Sequence, residues 1–164
     1  MRNETELKRN DAEKQLIITR KFNAPLELVW DAFTTKELME QWWAPKPYQC
    51  VIKTMDFVEG GKIHYYMLSP EGDKHWCMAE YLTINSYQNY TANDAFCDEN
   101  LVINTDFPST HWNNAFKAEG ENTIYQATLT YATIEDMEQI IALGFKEGFD
   151  MGLNQLDTLL LQLK

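Results

Sequence analysis

Few side chains in this sequence carry the chemistry of a catalytic or metal site, and their spacing keeps them apart. His64, His75 and His111 are isolated from one another, so a metal triad would need the fold to gather separate strands. Cys50, Cys77 and Cys97 lack the C-x-x-C spacing of a redox or zinc motif and read as three separate reduced thiols inside a core. No serine or cysteine sits in a nucleophile elbow, and Gly60-Gly61 lacks the spacing and the following helix of a phosphate cradle. For general acid and base work there remain Asp56, Glu80 and His75, near strand positions that could line an interior. The competing reading makes each of them a solvated or ion-paired group. No recognisable catalytic set, metal site or cofactor follows from these residues.

The aromatic residues make a stronger pattern. Trp42, Trp43, Tyr65, Trp76, Tyr81, Trp112, Phe116, Phe145 and Phe149 come from most of the elements able to meet in an interior, and Met67 shares the parity of Tyr65. Aromatics are 13% of the chain, with five Trp and eight Tyr, which suits a wide inner surface built from large side chains with polar tips. Together with Gly148 and Gly152, these residues are the expected walls of a mostly apolar pocket for a small hydrophobic or aromatic molecule. A solid aromatic core is the alternative.

The elements that must position these walls follow from periodicity. From Thr133 to the C-terminus, apolar or glycine positions at Ile140, Ile141, Gly144, Phe145, Gly148, Phe149, Gly152, Leu153, Leu156, Leu159, Leu160 and Leu163 mark one face of a long helix. Thr133 with Asp136 makes a capping box with Asp in place of Glu. Gly144, Gly148 and Gly152 recur every four residues on that face, at about 1 kcal/mol each against alanine. Either a close backbone crossing needs the missing side chains, or a cavity is kept bare.

Upstream, residues 1–13 contain one sizeable apolar residue beyond the initiator, Leu7, and read as a flexible tail. A chain beginning at Lys14 is therefore expected to melt within about a degree or two of the full chain. Leu16, Ile18, Arg20 and Phe22 share one strand parity, with Arg20 read as an ion pair to a strand carboxylate at the sheet rim. Leu26, Val29, Trp30 and Phe33 follow at helical spacing after Pro25, and Thr34 with Glu37 predicts a second capped helix ending at Ala44-Pro45. Strands are expected over 48–57, 62–67, 76–84, 89–96, 112–118 and 123–131, with His64 pointing outward beside Lys62. One strand, two short helices, a run of about six strands and a long helix define an antiparallel α+β domain over 14–164.

Composition bounds the partners. A chain of 164 residues, 45% hydrophobic, is long enough for one domain with a real core. Its net charge of -11 argues against tracking nucleic-acid phosphates or an anionic membrane surface. The charged N-terminus lacks a signal-peptide run and no apolar stretch reaches spanning length, so a cytoplasmic location is expected. Oligomeric state is not encoded in any of these features.

Ile18-x-Arg20-x-Phe22-x-Ala24-Pro25, Val29-Trp30-x-Ala32-Phe33-Thr34, Leu38, Trp42-Trp43-x-Pro45, Gly60-Gly61, Pro70-x-Gly72 and Gly144-Phe145-x-x-Gly148 carry a resemblance. From about Leu16 onward the chain resembles the family related to the C-terminal domain of the activator of heat-shock-protein-90 ATPase, within the START/Bet v/polyketide-cyclase helix-grip superfamily. The resemblance implies a curved antiparallel sheet wrapped around the C-terminal helix, with a cavity between them. It also implies binding of apolar or aromatic small molecules. Its alternatives are a cyclase- or hydratase-like enzyme and a co-chaperone that docks on a protein partner. Phe149 stands where the family usually has Trp, and Ala79 where many relatives have glycine. No catalytic set carries over, because such a family shares a fold and a cavity more than a mechanism.

Overall fold

The computed structural model describes residues 3–163. Eight strands form one antiparallel sheet: β1 (Glu6–Asn10), β2 (Gln15–Phe22), β3 (Gln49–Met55), β4 (Lys62–Leu68), β5 (Lys74–Asn85), β6 (Asn89–Phe96), β7 (Thr110–Glu119) and β8 (Asn122–Thr130). Their spatial order is β1-β2-β8-β7-β6-β5-β4-β3. Helices α1 (Leu26–Thr34) and α2 (Lys36–Met39) lie between β2 and β3, and α3 (Ile134–Ala142) and α4 (Phe145–Leu163) complete the chain. The α+β class and the helix-grip arrangement are as expected, with one strand more than the sequence suggested.

The periodicities explain most of the local structure. Leu16, Ile18, Arg20 and Phe22 are all buried while their neighbours are half-buried, as an alternating strand requires. On α1 the buried face is Val29, Trp30, Ala32 and Phe33. On α4 it is Phe149, Gly152, Leu153, Leu156, Leu159 and Leu160. The Thr133 hydroxyl accepts a hydrogen bond from the Asp136 amide at 3.0 Å, which fixes the start of α3.

Three expectations need correction, and the outward placement of His64 holds. The C-terminal helix is not continuous: Gly144 has φ +89°, a left-handed conformation that ends α3 and leaves Gly144 outside the helical stripe. The second capping box does not form, because Thr34 belongs to α1 and its hydroxyl donates to the Trp30 carbonyl; Thr35 takes the N-cap position of α2. His64 is on the outer face but is buried, its Nε2 3.0 Å from the Asp98 carbonyl oxygen and its ring 4.6 Å from Trp76. Arg20 pairs with helix carboxylates on α4 rather than with a strand carboxylate.

The N-terminal segment also differs from the expected tail, since β1 pairs with β2 from Glu6↔Thr19 to Asn10↔Gln15. Composition underrates such a strand because backbone pairing with an existing edge needs little apolar surface. Leu7 packs against the core, Arg9 pairs with Glu138 of α3, and Arg20 Nη1 donates to the Thr5 hydroxyl at 2.7 Å. Starting the chain at Lys14 should therefore lower the melting temperature by about 5 °C or more, the scale of a loss near 2 kcal/mol at this size. A thermal melt within a degree of the full chain would show that β1 adds nothing.

Candidate functional site

Register decides what faces the interior. Tyr65 pairs with Cys77, Cys77 with Phe96, and Asp94 with both Ala79 and Thr110, so these side chains from β4 to β7 share the inner face. Trp112 is two residues beyond Thr110 on the same face. Opposite them lie the α3–α4 junction and the loop after α2, which carries Trp43 and Pro45. Between the two surfaces is a cavity of about 260 Å³ lined by Trp43, Pro45, Tyr65, Met67, Cys77, Asp94, Ala95, Phe96, Thr110, Trp112, Ile140, Leu143, Gly144, Phe145, Gly148 and Phe149. Leu143 and Gly144 are exposed as well as lining, which places the mouth at the helix junction.

Aromatic rings make most of the wall. Trp112 lies 5.4 Å from Phe149 and 5.9 Å from Phe145, both edge to face, and Phe145 stacks on Phe149 at 5.5 Å. Trp43 closes the ring at 5.9 Å from Phe149 and 6.1 Å from Trp112. Its indole donates to the Tyr65 hydroxyl at 3.0 Å, so the two walls are tied together.

The other expected wall residues lie elsewhere. Trp42 is 1% exposed, donates its indole N–H to the Ala32 carbonyl at 2.8 Å and packs on Phe33 in the core. Phe116 packs on Trp30, Phe33 and Tyr125, and Tyr81 on Phe57 and Tyr90, in the half of the interior that α1 fills. Trp76 is on the outer face with His64 and Tyr66, one residue out of phase with Cys77. Gly152 lies against the Trp42 and Trp43 carbonyls rather than the cavity. The interior is thus divided, with a solid aromatic core under α1 and open space under the α3–α4 junction.

The polar feature of the cavity is Asp94. Its Oδ1 accepts from the Thr110 amide at 2.9 Å and its Oδ2 from the Trp112 indole at 2.7 Å. Burial pushes its carboxyl up to about 6, against the lowering effect of the Trp112 indole and of the Thr110 amide and hydroxyl. Asp56 and His75 are exposed and Glu80 is in register with Lys62 and Asn93 on the outer face, so none of the three expected acid–base candidates reaches the cavity. The signal for Asp94 was in its strand: Tyr90, Ala92, Asp94 and Phe96 share one parity. Burial, and secondarily Asp94, push the Cys77 thiol up to about 12, so it stays protonated at neutral pH. Burial likewise holds the Tyr65 hydroxyl well above the usual phenol range.

A sheet curved against a C-terminal helix, enclosing a small apolar cavity, defines the chain as a helix-grip protein. The family model for "Activator of Hsp90 ATPase homolog 1-like protein" matches residues 23–161, and the chain belongs to that family. Among solved structures it is similar to protein Ms6760 from Mycobacterium smegmatis, at 28% identity over 94% of this chain and 95% of that one, with a TM-score of 0.88. A protein from Staphylococcus epidermidis is also 28% identical, with coverages of 96% and 94% and a TM-score of 0.84. A protein from Arthrobacter aurescens, 24% identical over 96% and 91%, shares the fold with a TM-score of 0.91. No curated protein matches the sequence. No helix among the described residues is long and apolar enough to cross a membrane.

Proposed function

We propose that the protein binds a small apolar or aromatic molecule in the cavity between β4–β7 and the α3–α4 junction. The observation that carries this reading is the ring of Trp43, Trp112, Phe145 and Phe149 around open space of about 260 Å³. A dry cavity of about 150 Å³ takes benzene, so this one has room for one or two fused rings. The net charge of -11 argues against an anionic ligand or nucleic acid as the occupant. The family's name refers to a chaperone, but the built feature of this chain is an interior site, which favours the small-molecule reading.

Two tryptophans in the wall provide the assay. Naphthalene-sized neutral compounds should change tryptophan emission saturably with a Kd in the micromolar range, about -8 kcal/mol. Trp43→Ala and Phe149→Ala should each weaken binding about tenfold, the loss of roughly one aromatic contact, while circular dichroism remains that of a folded domain. An absent response in the parent protein, or an unchanged Kd in both variants, would remove the cavity from consideration.

A second reading is favoured by Asp94 alone. A carboxyl poised at about 6 in an apolar site is suited to moving a proton, so a cyclase- or hydratase-like reaction remains the alternative. Recovery of a bound molecule unchanged after prolonged incubation supports binding; its conversion, lost in Asp94→Asn, supports the enzyme.

A further inference from the structure

Asp94 is a carboxylate without a cation. Among the described residues lining the cavity there is no Lys, Arg or His, and its hydrogen bonds come from neutral donors, the Thr110 amide and hydroxyl and the Trp112 indole. A carboxylate can accept about four hydrogen bonds, so these donors leave room for one more. The groups facing it are otherwise neutral at pH 7. They are Tyr65 on β4, Cys77 on β5 and Tyr131 after β8, whose protons burial holds on, and the apolar Ile140, Leu143, Phe145 and Phe149 from the helix side. An unpaired acid in an apolar site costs stability, and an apolar residue there would remove that cost. The rings of Trp43, Trp112, Phe145 and Phe149 add a second preference, because their faces are negative and attract a cation.

On the reading that this cavity holds a small aromatic molecule, we propose that the ligand is an organic amine: a hydrophobic or aromatic body within the ring of aromatic side chains and an ammonium group hydrogen-bonded to Asp94. The charge-assisted contact uses the acceptor site that the protein leaves open. It neutralises the one formal charge in the cavity wall. A neutral alcohol of the same shape donates a hydrogen bond but leaves the charge uncompensated, and a carboxylate of that shape repels Asp94. The group of three or more metal-ligating side chains that a cation of another kind would need is absent among the described residues.

Three probes of one shape separate the possibilities: naphthylmethylamine, naphthylmethanol and naphthoate, titrated into the full-length protein by fluorescence and calorimetry. The amine should bind at least about tenfold more tightly than the alcohol, with naphthoate weakest. In Asp94→Asn the advantage of the amine should fall to within about twofold. Surface attraction by the acidic chain would survive that single substitution. On the parent protein, lowering the pH from about 7.5 to about 5 protonates Asp94 and should erase the same advantage, since the amine keeps its proton through that window. This second arm holds if Asp94→Asn fails to fold. Equal affinity of amine and alcohol overturns the amine assignment while leaving the cavity reading intact, as does an advantage that survives both the substitution and the acid titration. Binding of none of the three probes overturns both.

Discussion

Arg20→Ala should destabilise the protein by about 3 to 5 kcal/mol, the scale of breaking a buried ion pair from one side. The Arg20 side chain is 0% exposed, and its guanidinium is bound to Asp157, with Asp150 at 3.7 Å and the Thr5 hydroxyl at 2.7 Å. Alanine removes the charge that pairs with Asp157, whose side chain is only 15% exposed. It also removes the guanidinium's place over the Phe22 ring, 5.7 Å from Cζ to the centroid. Urea denaturation should show the loss with little dependence on salt, because screening barely reaches a buried pair. Arg20→Met combined with Asp157→Leu should recover much of the stability, since an apolar pair of similar volume avoids the cost of dehydrating two ions. A loss below about 1 kcal/mol for Arg20→Ala would place the pair with ordinary surface salt bridges.

Gly152→Leu should cost roughly 1 to 3 kcal/mol or more and also impair the cavity. A Cβ on Gly152 would sit 3.5 Å from the carbonyl oxygens of both Trp42 and Trp43, in ordinary contact with no room beyond. Alanine fits there and should be neutral or stabilising by up to about 1 kcal/mol, from helix propensity. Leucine must push the loop away from α4. That loop is clamped by Gln155, whose Nε2 donates to the Trp42 and Ala44 carbonyls at 2.9 and 2.8 Å and whose Oε1 accepts from the Lys46 amide at 2.8 Å. Displacing it moves Trp43, one wall of the cavity, so probe binding should weaken along with stability. Chemical denaturation of both variants checks the contrast; equal stability of the two would show that the loop yields easily. At Gly148 the neighbour is Pro45 Cγ at 3.7 Å on the cavity edge, so a larger side chain there obstructs the site more than it strains the backbone.

The sequence was readable wherever a single element carried its own period. The alternation of β2, the limits of β6 and the Thr133 cap need no partner to be seen. What needs a partner is not visible in one strand or helix alone. The outer position of Trp76 is invisible in the sequence because its face depends on register with β4, where Tyr65 takes Cys77 and leaves Trp76 outside. The break at Gly144 was hidden because a glycine on an apolar stripe looks the same whether its φ is negative or positive. Asp94 escaped notice because parity puts it inside but residue type argues that an acid belongs outside. Its burial follows from donors on β7, the Thr110 amide and hydroxyl and the Trp112 indole, that become its partners only once β6 and β7 are aligned.

The pairing of β2 with β8, from Gln15↔Thr130 to Phe22↔Thr123, has a consequence for how the protein is made. Strand β2 finds its central neighbour only after all of β3 to β7 has been synthesised, and β1 cannot substitute for it on that side. Closing so long a loop before any contact rewards it makes this a slow step in folding, with much of the entropy lost ahead of the energy gained. On the ribosome β2 therefore waits with its second edge bare while β3 to β7 assemble as a meander. A messenger cut short before β8 would yield a product with two unsatisfied strand edges, prone to aggregate rather than to fold in part.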